Sequence, residues 1–498
     1  MDNADKTRRA WLATLDKFRR DPDRAVRPDM WSPSLDAASR DELAAIQNEK
    51  LRAAVPFLYE NSAFYRRRFE RLGLVPSDIR GIDDLEKWPV VDKAEMMADA
   101  ADHPPYGTYT TVTDKVWAQR GWMMFSSSGS TGASRVFRYT HVDREAWAWA
   151  NARALLAMGF APGETVFMMT GYGPHVWAWG VQYALEKMAL PTIPGGGMDA
   201  KARANIVLRF KPTILLCTPS YALHLGRLLQ SMGHDPAATS VHTLFLAGEP
   251  ALAVEPTRRR IEALWDARIV EFYGCTEASP HVGGYSCPAQ QRDTSPAATH
   301  LMEDIQVWEV VDPDTRRTLP AGRRGLTVCT NLNSESSPQL RFLVGDYTTL
   351  STECCACGRT HVRAIGSFAG RADDLINLRG IKMFPVQIEE AVRALPGSGD
   401  EFEIVLSTDD SGLDTMTVRS EHADHAGGGA ELGRRLEQEI RSRCEVRVSA
   451  EVLAPGTLRR PNSRPSASRI AAGRLKSSGC AATRPAITAP GRSCRSAS

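Results

Sequence analysis

The sequence predicts an α/β fold, with a large N-terminal domain built on parallel-sheet layers and a small C-terminal α+β domain. Three observations carry this. The chain has 498 residues, 43% of them hydrophobic, which suits two or three globular domains and excludes a disordered or collagen-like chain. Beyond residue 120 short β-rich runs alternate with helix-length segments, the pattern of strands buried on both faces of a parallel sheet. After Gly370 the pattern changes to strand, turn, strand, one helix and further strands, as in a separate small domain.

In chain order, Asp41–Phe64 has apolar residues at helical spacing and no Gly, and reads as one or two packed helices. The runs Val166–Thr170 (VFMMT), Thr213–Thr218 (TILLCT), His242–Ala247 (HTLFLA) and Arg268–Tyr273 (RIVEFY) read as strands, with helices at Val176–Met188 and Ser220–Met232 between them. Ile305–Thr349 is turn-rich and leans to β-structure. Asp374–Met383 is a short strand-turn pattern, and Pro385–Leu395 is a helix with Pro in its first turn, where the missing N–H costs nothing. Phe402–Ser407 and Glu445–Leu453 read as strands, and Gly427, Gly428 and Gly429 as an exposed turn between a strand and a helix. The division is 1–369 for the large domain, 370–458 for the small one and 459–498 for a tail.

The net charge of +2 averages two unlike parts. The tail from Arg459 holds eight Arg, one Lys (Lys476) and no acid, a charge of +9, while the rest of the chain holds 52 bases and 59 acids, a charge of −7. An acidic body lacks the clustered cationic footprint that nucleic acid or an acidic membrane requires, and the tail lacks the aromatic residues that stack bases. No run of ~18 apolar residues is present, and the charged stretch Met1–Arg9 is unlike a signal peptide. A cytoplasmic location is the expectation. Ten Cys are too sparse for a disulfide scaffold, so the close group Cys354, Cys355 and Cys357 points to metal or redox chemistry.

Four segments carry the chemistry. Ser126–Thr140 (SSSGSTGASRVFRYT) sets hydroxyl residues beside Gly129 and Gly132, so that backbone N–H groups and hydroxyls can converge on phosphate oxygens. Alone, such a run also fits a flexible loop. Glu271–Ser279 (EFYGCTEAS) places Glu277 just past a parallel strand, at the sheet edge where α/β proteins bind ligands. Arg341–Leu350 (RFLVGDYTTL) places Asp346 after a Gly, suited to accepting hydrogen bonds from two ribose hydroxyls. Gly370–Glu390 supplies Arg371, Asp373 and Asp374 at the domain junction.

In their order and spacing these segments resemble the adenylate-forming acyl-CoA synthetase superfamily, and within it the phenylacetate-CoA ligase family, from about residue 40 to residue 458. The resemblance implies an ATP- and Mg²⁺-dependent ligase that converts an aromatic or arylacetic acid to acyl-AMP and then to its CoA thioester, with a mobile small domain. It assigns Ser127, Ser128, Gly129, Ser130, Thr131 and Gly132 to the triphosphate, and Gly248, Glu249, Pro250, Tyr273 and Gly274 to the adenine pocket. Thr276 and Glu277 become the phosphate contact and the Mg²⁺ ligand, Asp346 and Arg371 the ribose-site pair, and Asp373 the hinge. Tyr172, Gly173, Trp177 and Trp179 occupy the acyl-pocket position, although both Trp residues suit an amphipathic helix equally well. Cys287, His300, Cys355 and Cys357 align with a Cys/His structural zinc site, a closed tetrahedral donor set. The expected partners are a small aromatic acid, ATP and CoA. Delivery to a carrier-protein thiol, a non-catalytic nucleotide- or acyl-binding remnant, and a homodimer all stay open.

Two departures stand out. Ala133 follows Gly132 where the family places Lys, leaving Arg135 as the nearest cation. The family's C-terminal lead-in is intact through Leu458 (EVLAPGTL), but the basic stretch with its catalytic Lys does not follow. Pro461–Ser468 (PNSRPSAS) can be written in codons whose neighbouring frame reads Glu-Phe-Lys-Ala-Lys-Arg-Val, the family's kind of ending. The expectation is a one-base frame change near Leu458, a disordered out-of-frame tail, and impaired adenylation.

Overall fold

The computed structural model describes residues 2–19, 27–127, 135–174, 176–278, 283–286, 289, 296–379, 381–408, 414–423, 429–458 and 470–472. The strands are β1 (Gly121–Ser126), β2 (Val136–Thr140), β3 (Val166–Met168), β4 (Thr192–Pro194), β5 (Ile214–Cys217), β6 (Thr243–Ala247), β7 (Arg268–Tyr273), β8 (Gly284–Tyr285) and β9 (Ala298–His300). They continue with β10 (Gln306–Val311), β11 (Arg324–Asn331), β12 (Phe342–Ser351) and β13 (Arg363–Ile365). The small domain holds β14 (Ile376–Leu378), β15 (Ile381–Met383), β16 (Ser398–Thr408), β17 (Asp414–His422), β18 (Ser449–Leu453) and β19 (Ile470–Ala472).

All but β1 and β2 of the large-domain strands form one eleven-stranded sheet, in the order β10-β11-β12-β13-β9-β8-β7-β6-β5-β3-β4. The five strands from β4 to β7 run parallel, and those from β8 to β10 are joined antiparallel. Successive side chains of a strand point to opposite faces, and the apolar runs use both. Val166 and Met168, Ile214 and Leu216, and Phe245 and Ala247 join one core with the helices His141–Ala157 and Val176–Lys187. Phe167, Leu215 with Cys217, and Leu244 with Leu246 join the core beneath the helices Ala200–Phe210, Pro219–Ser231 and Glu255–Trp265. Burial on both faces is why these strands lack a polar alternation.

Of the one or two helices expected over Asp41–Phe64 there are two, Arg40–Asn61 and Ala63–Leu72. Ser39 caps the first in a reciprocal box with Glu42, and Ser62 ends it while capping the second. The N-terminal helix Asn3–Phe18, outside the expected set, stacks Trp11 on Phe57 at 4.6 Å. Beneath it, Arg153 binds Asp36 at 2.7 Å and Asp304 at 2.9 Å, all three side chains being essentially shielded from solvent.

In the small domain, β18-β17-β16-β19 form a sheet covered by the helices Pro385–Ala394 and Gly429–Cys444. β19 lies in the expected tail and pairs parallel with β16, so three residues of the tail extend the small-domain sheet. A short apolar stretch, Ile-Ala-Ala, covers a sheet edge that would otherwise present unpaired backbone groups. The rest of the tail, and Gly427 and Gly428, lie outside the described residues. The small domain docks through Pro385–Ala394 onto Glu255–Trp265: Thr257 Oγ1 donates to Glu389 at 2.9 Å, and Arg260 meets Asp400 at 3.2 Å. Among the described residues, no helix is long and apolar enough to cross a membrane.

Candidate active site

The C-terminal ends of the parallel strands gather the expected residues. After β6 the chain turns at Gly248, whose φ of +87° is a left-handed conformation that a Cβ would strain. That turn presents Glu249, with Pro250 half-buried beside it. The Glu249 carboxylate accepts hydrogen bonds from Ser220 N at 3.1 Å and Ser220 Oγ at 2.9 Å, at the start of the helix that follows β5. Loss of solvent outweighs both bonds and, helped by nearby Glu389, pushes the carboxyl up to about 8.

After β7, Tyr273 donates its hydroxyl to Asp346, and burial together with that carboxylate raises the phenol well above its ordinary value. Asp346 also accepts from Arg371 Nη1 at 3.3 Å, and the two residues form a backbone bridge. The Tyr273 ring lies flat on Phe368, centroids 3.5 Å apart and planes within 10°. Gly274 is exposed next to it. Thr276 is half-buried, its carbonyl accepting from Tyr139 OH at 3.1 Å. The Glu277 backbone carbonyl is held by Asn331 Nδ2 at 3.1 Å and Ser337 Oγ at 2.7 Å. Its carboxylate is buried and paired with Arg135.

The hairpin β1-β2 carries the expected phosphate loop, and its neck is closed by Ser127. Ser127 N donates to Arg135 O at 2.9 Å, and Arg135 N donates to Ser127 Oγ at 3.0 Å. Ser128, Gly129, Ser130, Thr131 and Gly132 lie outside the described residues, as does Cys287.

In the expected acyl-pocket segment the structure joins two of the three aromatic residues. Tyr172 and Trp179 meet edge to face at 5.0 Å, Trp179 Nε1 donates to Gly173 O at 3.1 Å, and Tyr183 stacks on Trp179 at 6.3 Å. Trp177 packs instead against the core of Ala154 and Leu185, while Trp179 joins that of Phe125 and Trp147. Residues two apart on a helix point away from each other, so the pair could not share one wall. Gly180 is required here, because a Cβ would lie 2.2 Å from the Trp147 ring.

Away from these strand ends, His300, Cys355 and Cys357 place their donor atoms within 4.8 Å of one another, with His300 Nε2 3.5 Å from Cys357 Sγ. Asp373 occupies the 3₁₀ turn Ala372–Asp374 that leads into the small domain. Sequence reasoning missed Ser220, Tyr139, Phe368 and the Arg135–Glu277 pairing. Ser220 had a positional signal, opening a helix after a parallel strand, whereas Phe368 had none.

The family model described as AMP-binding enzyme matches residues 89–330, and that described as AMP-binding enzyme C-terminal domain matches residues 380–474. The chain is 30% identical to the phenylacetate-coenzyme A ligase of Thermus thermophilus over 448 residues, covering 86% of this chain and 96% of that one. A solved 2-hydroxyisobutyryl-CoA ligase in the postadenylation state with 2-HIB-AMP is 27% identical with a TM-score of 0.83, covering 93% of this chain and 96% of that one. The same ligase with 2-HIB-AMP and CoA in the thioesterification state is 28% identical with a TM-score of 0.66, covering 89% and 93%.

Proposed function

The chain belongs to the phenylacetate-coenzyme A ligase family of AMP-binding enzymes and is an AMP-forming acid–CoA ligase; on that premise we propose that its substrate is a small aromatic or arylacetic acid. A carboxylate is a poor electrophile. Its oxygen attacks the α-phosphorus of ATP, the bond to the β-phosphate oxygen breaks, and pyrophosphate leaves. The thiolate of CoA then attacks the acyl carbon of the adenylate, and AMP leaves with the bonding electrons. Such transfers depend on positioning and charge neutralisation.

The observation that carries the reading is the array Tyr273–Asp346–Arg371 beside Glu277 at one sheet edge. Asp346 has carboxylate lone pairs to offer ribose hydroxyls, and Arg371 orients it. Glu277 would hold Mg²⁺, a hard cation suited to one carboxylate plus phosphate oxygens, which neutralises phosphate charge when bound. The aromatic preference is supported by the wall of Tyr172, Trp179 and Tyr183, flat rings that match a flat substrate. The higher likeness to the postadenylation structure supports reading the docked small domain as the arrangement of the first half-reaction. Asp373 serves as the hinge for leaving it.

The missing Lys impairs that half-reaction: no Lys lies between Leu458 and Lys476, so the acyl phosphate lacks its expected cation. The cause is a one-base frame change near Leu458. His300, Cys355 and Cys357, with Cys287, would hold a structural zinc, for which two thiolates and an imidazole already lie at ligand separation.

A pyrophosphate-release screen over benzoate, hydroxy- and aminobenzoates, phenylacetate and indoleacetate tests the substrate class, run on this chain and on one with the frame restored. Turnover confined to short aliphatic acids overturns it. Preformed acyl-adenylate plus CoA gives thioester in both chains, while ATP-driven adenylation is strong only in the restored one; equal adenylation overturns the impairment. Sequencing the gene tests the frame directly. Metal analysis of purified protein gives about one zinc per chain; zinc-free protein of unchanged stability after chelation refutes that site.

A further inference from the structure

Arg135 stands at the base of the phosphate loop with its backbone tied to Ser127 on both sides. Its side chain is 94% buried, since only 6% of the residue's surface is exposed. The guanidinium pairs with Glu277 through Nη2, and the remaining nitrogens, Nε and Nη1, are buried with no hydrogen-bond partner among the described residues. A structural ion pair satisfies its donors, because each unmet buried N–H carries a desolvation penalty. Here the pair occupies Nη2, the nitrogen common to both two-pronged edges of the guanidinium, and leaves Nε and Nη1 as two unmet donors. Once Nη2 is released, either edge matches two oxygens of a phosphate, the geometry at which Arg is superior to Lys. The partner is equally telling, because Glu277 is the residue that would hold Mg²⁺. Ala133 meanwhile leaves the loop without the Lys it would otherwise carry.

We propose that Arg135 is the triphosphate-binding cation of this chain, replacing a loop lysine, and that its pair with Glu277 is a resting lock that nucleotide entry exchanges for phosphate contacts. The inference rests on the ligase reading of the site. Before nucleotide enters, each charge neutralises the other in a site with little water. When the triphosphate arrives, Nη2 leaves Glu277 and donates to its oxygens together with Nε or Nη1, and the Glu277 carboxylate is released toward the cation that accompanies ATP. No bond is made or broken in this exchange.

The test is calorimetric binding of α,β-methylene-ATP to the full chain, with and without MgCl₂, so that no turnover is needed. Arg135→Met weakens Mg-free binding on the order of 10- to 100-fold, the range of a charged hydrogen-bonded contact. Arg135→Lys, which keeps the charge without the fork, loses roughly tenfold. Glu277→Gln, which frees Arg135, keeps or tightens Mg-free binding and abolishes its enhancement by Mg²⁺. Adding Ala133→Lys to Arg135→Met restores Mg-free binding. Circular dichroism checks folding, and if Arg135→Met does not fold, Arg135→Lys and Glu277→Gln decide. Mg-free affinity within twofold of the parent in a folded Arg135→Met or Arg135→Lys variant overturns the proposal and leaves the ligase reading standing. A folded parent chain that binds no analogue under any condition overturns both.

Discussion

Truncating Arg260 releases the small domain from the large one. Its guanidinium donates across the interface to the carbonyls of Leu395 at 3.3 Å, Ser398 at 3.2 Å and Gly399 at 3.3 Å, and to the Asp400 carboxylate at 3.2 Å. A hydrogen bond with one charged partner contributes about 1.5–3 kcal/mol net. These four are long and share two nitrogens, so about 2 kcal/mol is a fair sum for the set. Asp400 is not stranded by the loss, because Arg227 at 3.5 Å and Arg393 at 3.8 Å remain beside it. About 2 kcal/mol corresponds to roughly 30-fold in the docking equilibrium. Energy transfer between dyes on the two domains reads that equilibrium directly, and the half-reactions read its consequence. In Arg260→Ala the docked fraction falls and ATP-driven adenylation falls with it, while thioester formation from preformed adenylate is unchanged or faster. An unchanged docked fraction, or equal loss in both half-reactions, refutes the assignment of this interface to adenylation.

Three further outcomes follow from the buried groups. Because the Glu249 carboxyl rises from 4.5 to about 8 in the folded chain, the folded state holds a proton there that the unfolded state gives up. Stability therefore falls as pH rises between these values and levels off above about 8, and Glu249→Gln flattens that slope in urea midpoints from pH 4.5 to 9; parallel slopes contradict it. Arg153→Met leaves Asp36 and Asp304 buried without their guanidinium and costs about 3–5 kcal/mol, seen as a lower thermal midpoint; a loss below about 1 kcal/mol shows that Lys50 suffices. Burial alone would raise the Asp304 carboxyl, but Arg153 and Lys50 hold it far below its usual range, so this contribution is lost only as pH drops well into the acid region. Gly180→Ala drives a methyl into the Trp147 ring and costs about 1–3 kcal/mol by overpacking, with altered tryptophan emission; an unshifted midpoint means the helix slides freely.

The parallel strands were legible because most are apolar runs with helices on both faces, β7 carrying Glu271 within its run, and the runs at 166, 214 and 243 differ from the expected ones only by end residues while that at 268 matches. The hairpin β1-β2 was not legible, since its strands mix Arg, Ser and aromatic residues around a polar loop. Binding motifs that occupy one short stretch, such as Tyr273–Glu277 or Gly248–Pro250, could be read locally. Contacts made by distant stretches could not. Phe368 reaches Tyr273 because β8, β9 and β13 carry the chain beside β7, and no local pattern encodes that order. The tail shows the same limit: composition pointed to disorder, yet three of its residues found a free sheet edge.

Taken alone, the amino-acid sequence determined the family, the sheet and the identity of the nucleotide-site motifs, because periodic burial and short motifs act over a few residues. Only the tertiary structure decided which charge answers which. Arg135 and Glu277 lie far apart in the chain and pair at a single strand end. Arg260 finds Asp400 only when the two domains dock, and Trp177 and Trp179 part company because a helix turns between them. Electrostatic and packing partners depend on distance through space, and that distance exists only once the sheet order and the docking of the domains are established.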